Sequence, residues 1–222
     1  MFWKVCFKPF YFEKGIIHKE DILMNKNRFF TTSNIAKIAI LSAISFILML
    51  LQVPIPFIPS FYELDLSEVP VLIGGFSLGP LAAISIEGVK ILLKIIIEGT
   101  STAYVGEVAN FIVGCAFGVP ASIIYLKNKT KQNAVKSLIV GGISMVLTAM
   151  IMNYFVLLPA YSYFYKMDLE VIIGMGTALI PIIKNKLTFV LFATTPFNTI
   201  KAIVVSLFTF ALYKHISPLL KK

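Results

Sequence analysis

The sequence TTPFNTIK, residues 194–201, places a proline, an asparagine and a lysine inside an apolar run that extends from Leu187 to Leu212. This run is long enough to cross a bilayer as a helix. A lysine near mid-membrane costs about 2.5–3.5 kcal/mol on insertion scales, so it usually faces protein or a water-filled cavity. Asn198 and Lys201 are three residues apart and share one face of a helix. This face is predicted to line a pocket for a polar, aromatic small molecule.

Pro196 lies directly before this polar face. It removes one backbone hydrogen bond and is expected to loosen the preceding helical turn. An alternative interpretation needs no ligand: Lys201 extends toward a membrane interface, and Asn198 hydrogen-bonds to a neighbouring helix. The pocket is favoured because ionisable groups inside a membrane are functional by default.

The composition of the whole chain is that of a polytopic membrane protein. Of its 222 residues, 58% are hydrophobic and only 14% are charged, and the mean hydropathy is +0.86. No soluble domain of this length needs so much apolar surface. The net charge of +9 does not indicate nucleic-acid binding, because the basic residues flank the apolar runs and do not alternate with aromatic residues.

Six apolar runs predict an all-α bundle of six transmembrane helices. The runs are residues 35–53, 66–78, 81–97, 103–126, 137–158 and 187–212. Basic residues gather at the N-terminal flank (Lys26 and Arg28), in the connection 127–136 and at the C-terminus, so both termini are predicted to be cytoplasmic. The connection 168–186 is interpreted as a short helix that lies at the membrane surface or re-enters it.

The first 23 residues differ from the rest of the chain. Charged residues interrupt every apolar stretch there, so this part is not a signal peptide. We hypothesise that translation starts at Met24, with residues 1–23 a mis-assigned extension or disordered tail and residues 24–222 the membrane domain. A peptide from residues 2–14 found by mass spectrometry in the native protein would refute this.

The connection after the first run combines prolines, aromatic residues and carboxylates. They include Pro54, Pro56, Pro59, Tyr62, Glu63 and Asp65. The prolines prevent the helix from continuing. The chemistry of this connection fits two alternatives equally well: a solvated surface loop, or a lid that closes above a bound ligand. The run count places this connection and the start of the sixth run on the outer side of the membrane. The pocket is therefore predicted to open outward beneath a proline-rich outer loop.

Two further polar faces occur on the third and fourth runs. Glu87, Lys90 and Lys94 share one helical face that cannot contact lipid, and Glu107 and Asn110 form another. Glu87 is predicted to pair with Lys90, and a structural ion pair and a ligand contact are equally favoured. An enzyme that acts on a polar lipid through Glu87, Lys90 or Glu107 is disfavoured. The sequence has no phosphate-binding loop, no Ser-His-carboxylate set and no metal-ligand cluster.

A face of small residues lies on the first run. Ala39 and Ala43, with Ala36 beside them, would let another helix approach closely. From spacing alone, packing inside the bundle is favoured over contact with a partner protein.

Several segments, taken together in this order, resemble the substrate-binding S components of energy-coupling factor (ECF) vitamin transporters, most closely the riboflavin-specific members. The segments are residues 36–43, 64–70, 75–80, 106–111, 153–154 with 159–161, and 196–201. The resemblance extends from about residue 24 to the C-terminus. It implies six membrane helices and a vitamin site at the outer side, capped by the first connection.

The resemblance also implies that this chain is not the pump itself. A transmembrane coupling protein and two cytoplasmic ATPases would supply the energy for vitamin uptake across a bacterial plasma membrane. In the family a small-residue face on the first helix meets the coupling protein. Ala36, Ala39 and Ala43 match that face, which reverses the preference for internal packing.

For the ligand, the resemblance implies flavin contacts from Asn153, Asn198 and Lys201, with riboflavin a transported ligand and no resident cofactor. Amides offer a donor and an acceptor to the edge of the isoalloxazine ring, and the ammonium group offers a charged donor. Aromatic residues are expected on the ring and carboxylates on the ribityl hydroxyls. The candidates are Tyr62, Tyr161 and Phe197 for the ring, and Glu63, Asp65 and Glu107 for the hydroxyls.

Two other functions stay open from the sequence. One is an S component for a different small molecule. The other is a stand-alone secondary carrier, which is disfavoured because the chain does not divide into two inverted repeats.

Overall fold

Inside a membrane, a long apolar run must satisfy all of its own backbone hydrogen bonds, and it does so by forming a helix. The structure, a computed structural model, consists almost entirely of helices. It describes residues 31–56, 58–59, 62–100, 102–166 and 168–220. The predicted extension 1–23 and the basic flank at Lys26 and Arg28 lie outside these ranges. The helices are α1 (Thr32–Leu50), α2 (Glu68–Leu78), α3 (Pro80–Ile97), α4 (Val105–Lys127), α5 (Lys131–Met152), α6 (Leu158–Tyr165), α7 (Leu169–Thr177), α8 (Lys186–Phe189) and α9 (Thr195–Leu220).

The first connection contains a feature that the sequence did not predict. Strands β1 (Val53–Pro54) and β2 (Glu63–Leu64) pair antiparallel, with Val53 opposite Leu64. This short ladder brings the two ends of the connection together. It therefore fixes the backbone from which Tyr62 and Asp65 extend.

Within the described residues, four helical segments are long and apolar enough to cross a membrane by length and composition. They are Thr32–Leu50, Val105–Lys127, Lys131–Phe164 and Lys186–Tyr213. Helix α2 has only 11 residues, but ten of them are buried, and it packs against α1, α3, α4 and α9. A short apolar helix is stable in this position because protein, rather than lipid, surrounds it.

Two π-helical turns interrupt the longer helical segments, at Asn153–Leu157 between α5 and α6 and at Val190–Thr194 between α8 and α9. A proline follows each turn within two residues, at Pro159 and Pro196. Proline donates no backbone hydrogen bond, and its ring clashes with the carbonyl four residues earlier. A π turn is wider than an α turn and accommodates this clash. The sequence predicted the loosened turn before Pro196 and missed the matching one before Pro159.

The predicted bounds of the fifth run are wrong at both ends. Helix α5 begins at Lys131, because the Thr130 side chain caps it by accepting a hydrogen bond from the Asn133 backbone N–H at 3.2 Å. Only residues 128–130 therefore connect α4 to α5. At the other end the helical path continues through the π turn to Tyr165. The short helix predicted within 168–186 is confirmed as α7.

Helices α4 and α5 approach each other closely at Gly141. A Cβ atom added there would lie 2.8 Å from the backbone oxygen of Phe117 and 2.9 Å from the Cβ atom of Ala121. Gly174 in α7 is the opposite case, because a Cβ atom there would meet nothing within 4 Å.

We expect Gly141→Ala to lower the free energy of unfolding by about 1–3 kcal/mol, because the new methyl group must displace backbone. Gly174→Ala is the matched control and is expected to be neutral or to stabilise α7 by up to about 1 kcal/mol. Thermal unfolding of the detergent-solubilised protein measures both. Equal melting temperatures for the two variants would contradict the close approach.

Candidate functional site

A cavity of about 710 Å³ lies among the first connection, the C-terminal end of α3, the N-terminal part of α4, the π turn Asn153–Leu157, α6, α7 and the start of α9. Its volume is within the range of about 300–1,000 Å³ that is typical of small-molecule sites. The cavity is lined by every residue that the family resemblance suggested for flavin contact, but not by Glu87 or Lys90, for which a ligand contact was left open. The suggested residues that line it are Tyr62, Glu63, Asp65, Glu107, Asn153, Tyr161, Phe197, Asn198 and Lys201.

Helix α9 supplies the polar face from which the prediction started. Asn198 and Lys201 are both 6% exposed and both line the cavity. The Asn198 Nδ2 group donates to the Thr194 carbonyl at 2.9 Å, which sets the plane of the amide. The alternative in which Lys201 extends to a membrane interface is wrong, because its side chain is buried.

Lys201 pairs with a carboxylate that lies 136 residues earlier in the chain. Its Nζ atom donates to Asp65 Oδ2 at 2.7 Å. Asp65 is 4% exposed, and its Oδ1 atom accepts from the Ser67 backbone N–H at 2.8 Å. Burial acts to raise the pKa of Asp65, but the ammonium groups of Lys201 and Lys90 outweigh burial and lower it to about 2.

Tyr62 attaches the first connection to both π turns. Its hydroxyl group donates to Asn153 Oδ1 at 2.9 Å and lies 2.7 Å from Thr194 Oγ1. Its ring packs against Phe197, with the ring centroids 4.8 Å apart. Burial raises the pKa of Tyr62, so the hydroxyl group stays neutral. These contacts hold the Tyr62 side chain against the cavity wall.

A cluster of hydroxyl groups surrounds Glu107, which lines the cavity from the start of α4. Its Oε2 atom accepts from the Thr102 hydroxyl at 2.7 Å and from the Thr100 hydroxyl at 3.0 Å. Its Oε1 atom lies 3.4 Å from Lys94 Nζ. A carboxylate accepts up to about four hydrogen bonds, so Glu107 retains capacity for a ligand hydroxyl. Glu63 lines the cavity from an exposed position.

The chain matches the family described as the substrate-specific component of ECF transporters, over residues 33–213. The chain belongs to this family. Riboflavin transporter RibU of Staphylococcus aureus (strain TCH60) is 36% identical over 185 residues, 83% of this S component and 90% of the relative. Riboflavin transporter FmnP of Bacillus subtilis (strain 168) is 35% identical over 170 residues, 76% of this chain and 84% of the relative.

The solved structures agree with this assignment. The S component of a bacterial ECF transporter superposes with a TM-score of 0.65 at 34% identity, covering 89% of this chain and 100% of that chain. The resemblance inferred from the sequence segments is therefore confirmed. The family and these relatives are transporters, and the S component is a helical bacterial membrane protein.

A second group of charges lies behind the cavity of the S component. Lys90 Nζ contacts Glu87 Oε1 at 2.7 Å, Glu68 Oε1 at 2.9 Å and Ser67 Oγ at 3.2 Å. The predicted Glu87–Lys90 pair is confirmed, and both side chains are fully buried. Glu68 was missed, and it is the member of this group that lines the cavity. Among the described parts of the chain, no group of three His, Cys, Asp or Glu residues could hold a metal ion.

The small-residue face of the S component lies on the outside of α1. Ala36, Ala39 and Ala43 are all exposed, whereas the opposite face of α1, including Ser45 and Phe46, is buried. Packing of these alanines inside the bundle, which spacing alone favoured, is therefore wrong. They remain available to another protein in the membrane.

The Asp65–Lys201 pair predicts how acid affects the ligand-free S component. A carboxylate whose pKa is lowered from 3.8 to about 2 by folding stabilises the protein above about pH 4, and this contribution is lost as the pH falls towards 2. We expect Asp65→Asn to lower the free energy of unfolding by about 2 kcal/mol near neutral pH. The deficit should shrink as the pH falls.

Thermal unfolding of both proteins between about pH 6 and pH 3 measures this convergence. Asp168→Asn, at an exposed aspartate outside the cavity, is the matched control and is expected to follow the wild-type curve. A deficit for Asp65→Asn that stays constant with pH would contradict an ionised, ion-paired Asp65.

Proposed function

We propose that this S component binds riboflavin in the cavity and mediates its uptake together with an ATP-driven ECF module. The module would comprise a transmembrane coupling protein and two cytoplasmic ATPases. The observation that carries the proposal is the convergence of Asn153, Asn198 and Lys201 on one cavity beside the Tyr62–Phe197 ring pair. The relatives named as riboflavin transporters support the choice of ligand.

The polar groups suit the edge of an isoalloxazine ring. That edge alternates acceptors with a donor, and Asn198 offers both kinds of partner. Lys201 retains ammonium protons beyond the one that it donates to Asp65, so it provides a charged donor. Each charge-assisted hydrogen bond contributes about 1.5–3 kcal/mol. Tyr161, which also lines the cavity, joins Tyr62 and Phe197 as a surface for the ring.

The ribityl chain of riboflavin suits the hydroxyl cluster around Glu107. Its hydroxyl groups need acceptors and donors without a fixed geometry, which the Glu107, Thr100 and Thr102 cluster provides. Glu63 adds an acceptor on the side of the first connection. The ligand would then lie with its ring toward α9 and its chain toward the start of α4.

We further propose six membrane crossings, with both termini in the cytoplasm of a bacterial cell. In the part of the chain that the structure describes, four helical segments are long and apolar enough by themselves. Helices α2 and α3 would supply the other two, since α2 is enclosed by protein and the charges of α3 at Glu87 and Lys90 are buried. The α4–α5 connection, with Lys129, the adjoining Lys127 and Lys131 and no acidic residue, would face the cytoplasm, and the first connection would be the outer loop.

The purified S component, produced in cells grown with riboflavin, tests the ligand directly. We expect yellow protein whose flavin fluorescence is quenched, and a riboflavin adduct in native mass spectrometry. Colourless protein that ignores added riboflavin would contradict the proposal, and a different retained molecule would indicate another substrate. Uptake into vesicles that lack the coupling protein and the ATPases would favour a stand-alone carrier instead.

A further inference from the structure

Both oxygens of the Asp65 carboxylate are held in place by other groups. Oδ2 accepts from Lys201 Nζ at 2.7 Å, and Oδ1 accepts from the Ser67 backbone N–H at 2.8 Å. The residue lies between β2 and α2 and is 4% exposed. Both Asp65 oxygens are therefore directed at Lys201 and Ser67, at the wall of the cavity.

The backbone that carries Asp65 is itself fixed from two sides. The Ser67 carbonyl accepts from the Ser45 hydroxyl of α1, and the Ser67 hydroxyl accepts from Lys90 Nζ at 3.2 Å. Lys90 in turn pairs with Glu68 and with a carboxylate of its own helix. These contacts join α1, α2 and α3, so Asp65 is a stationary counter-ion and not a flexible surface group.

A lysine needs such a counter-ion more than other donors do. Its ammonium group is a point charge on a flexible four-carbon stem, and a buried ammonium without a partner is strongly disfavoured. The contact with Asp65 oxygen fixes one N–H direction of Lys201. The other N–H groups are then directed from a fixed point on the cavity wall.

We propose that Asp65 is the positioning residue of the ligand site, which sets the direction of the Lys201 ammonium group without touching the ligand itself. This inference rests on the proposed function, because it gives Lys201 a contact with the flavin. It assigns Asp65 a different role from the hydroxyl-binding one suggested by sequence. It also predicts that Asp65 affects binding only while Lys201 is present.

A double-mutant cycle in purified protein tests this role. The variants are Asp65→Asn, Asp65→Glu, Lys201→Met and the Asp65→Asn/Lys201→Met pair, with Asp168→Asn as the matched exposed control. Riboflavin affinity is measured by fluorescence quenching, the absorption bands of bound flavin are recorded, and unfolding of each ligand-free protein is followed in parallel.

We expect Asp65→Asn to weaken riboflavin binding by about 10- to 100-fold, the effect of one lost charge-assisted contact. The flavin bands should shift toward those seen with Lys201→Met. In the Lys201→Met background, Asp65→Asn should cause no further loss. Asp65→Glu, which keeps the charge, should lose less affinity than Asp65→Asn.

Losses that add in the double variant would overturn the positioning role, because Asp65 would then act independently of Lys201. An Asp65→Asn protein that binds as tightly as the wild type would overturn it as well. If Asp65→Asn does not fold, Lys201→Met is compared with the double variant, which leaves no ammonium unpaired. A further tenfold loss there overturns the role, and equal affinity supports it. If neither the wild-type protein nor Asp168→Asn binds riboflavin, the proposed function is overturned, and the inference with it.

Discussion

Replacement of Lys201 by alanine is expected to weaken riboflavin binding by about 10- to 150-fold, which corresponds to about 1.5–3 kcal/mol. The charged donor disappears, and Asp65 is left buried without its partner at 2.7 Å. Asn198→Ala is expected to cost about 1–3 kcal/mol, because an enclosed polar edge of the ligand loses its amide partner. Titration of the purified protein with riboflavin, followed by fluorescence quenching, measures both.

Lys129→Ala is the control for these substitutions. Lys129 is exposed in the connection between α4 and α5, far along α4 from the cavity-lining residues near its start. Its replacement is expected to leave the affinity unchanged. If Lys201→Ala or Asn198→Ala binds riboflavin as the wild type does, or if Lys129→Ala weakens binding equally, α9 does not provide the ligand contacts.

The substitution Ala39→Trp is expected to abolish riboflavin uptake while leaving riboflavin binding intact. Ala36, Ala39 and Ala43 form an exposed face on α1, and small residues let two membrane helices approach closely. An indole at Ala39 would hold a partner helix away. The cavity lies on the other side of α1, where Met49 lines it, so the ligand contacts are unaffected.

Uptake is measured in cells or proteoliposomes that contain the coupling protein and the ATPases, and affinity is measured on the purified S component. Leu207→Trp, at a residue of α9 that is 65% exposed, is the matched control for a tryptophan on the membrane-facing surface. It is expected to retain uptake. Loss of binding in Ala39→Trp, or undiminished uptake, would refute the partner-interface role of this face.

The polar face that α9 contributes to the cavity was predictable because it follows from local periodicity. Asn198 and Lys201 are three residues apart, and any helix through them must present both on one face. Pro196 likewise predicts a distorted helical turn immediately before it. Neither conclusion needs knowledge of the neighbouring helices.

The pairs that connect the wall to the rest of the molecule were not predictable in this way. Asp65 and Lys201 are 136 residues apart, and Glu68 and Lys90 belong to different helices. Several carboxylates in the sequence were equally plausible partners for each ammonium group. Only the packing of α2 among its four neighbouring helices determines which carboxylates from other segments each lysine meets.

The same division applies to the alanine face. The spacing of Ala39 and Ala43 identifies a surface that another helix can approach closely, but it does not say whether that helix belongs to this chain. The tertiary structure leaves the face exposed, since the side of α1 that carries Ser42, Ser45 and Phe46 packs inward.

The sequence by itself determined that the chain is a helical membrane protein, that α9 carries a polar face, and to which family the chain belongs. These conclusions depend on hydropathy, helical periodicity and short motifs, all of which are local properties of the chain. The tertiary structure alone decided that Asp65 neutralises Lys201, that Tyr62 connects both π turns, and that the alanines face outward. The reason is physical: contacts between distant segments depend on how helices pack, and electrostatic pairing in a buried site depends on distance in space.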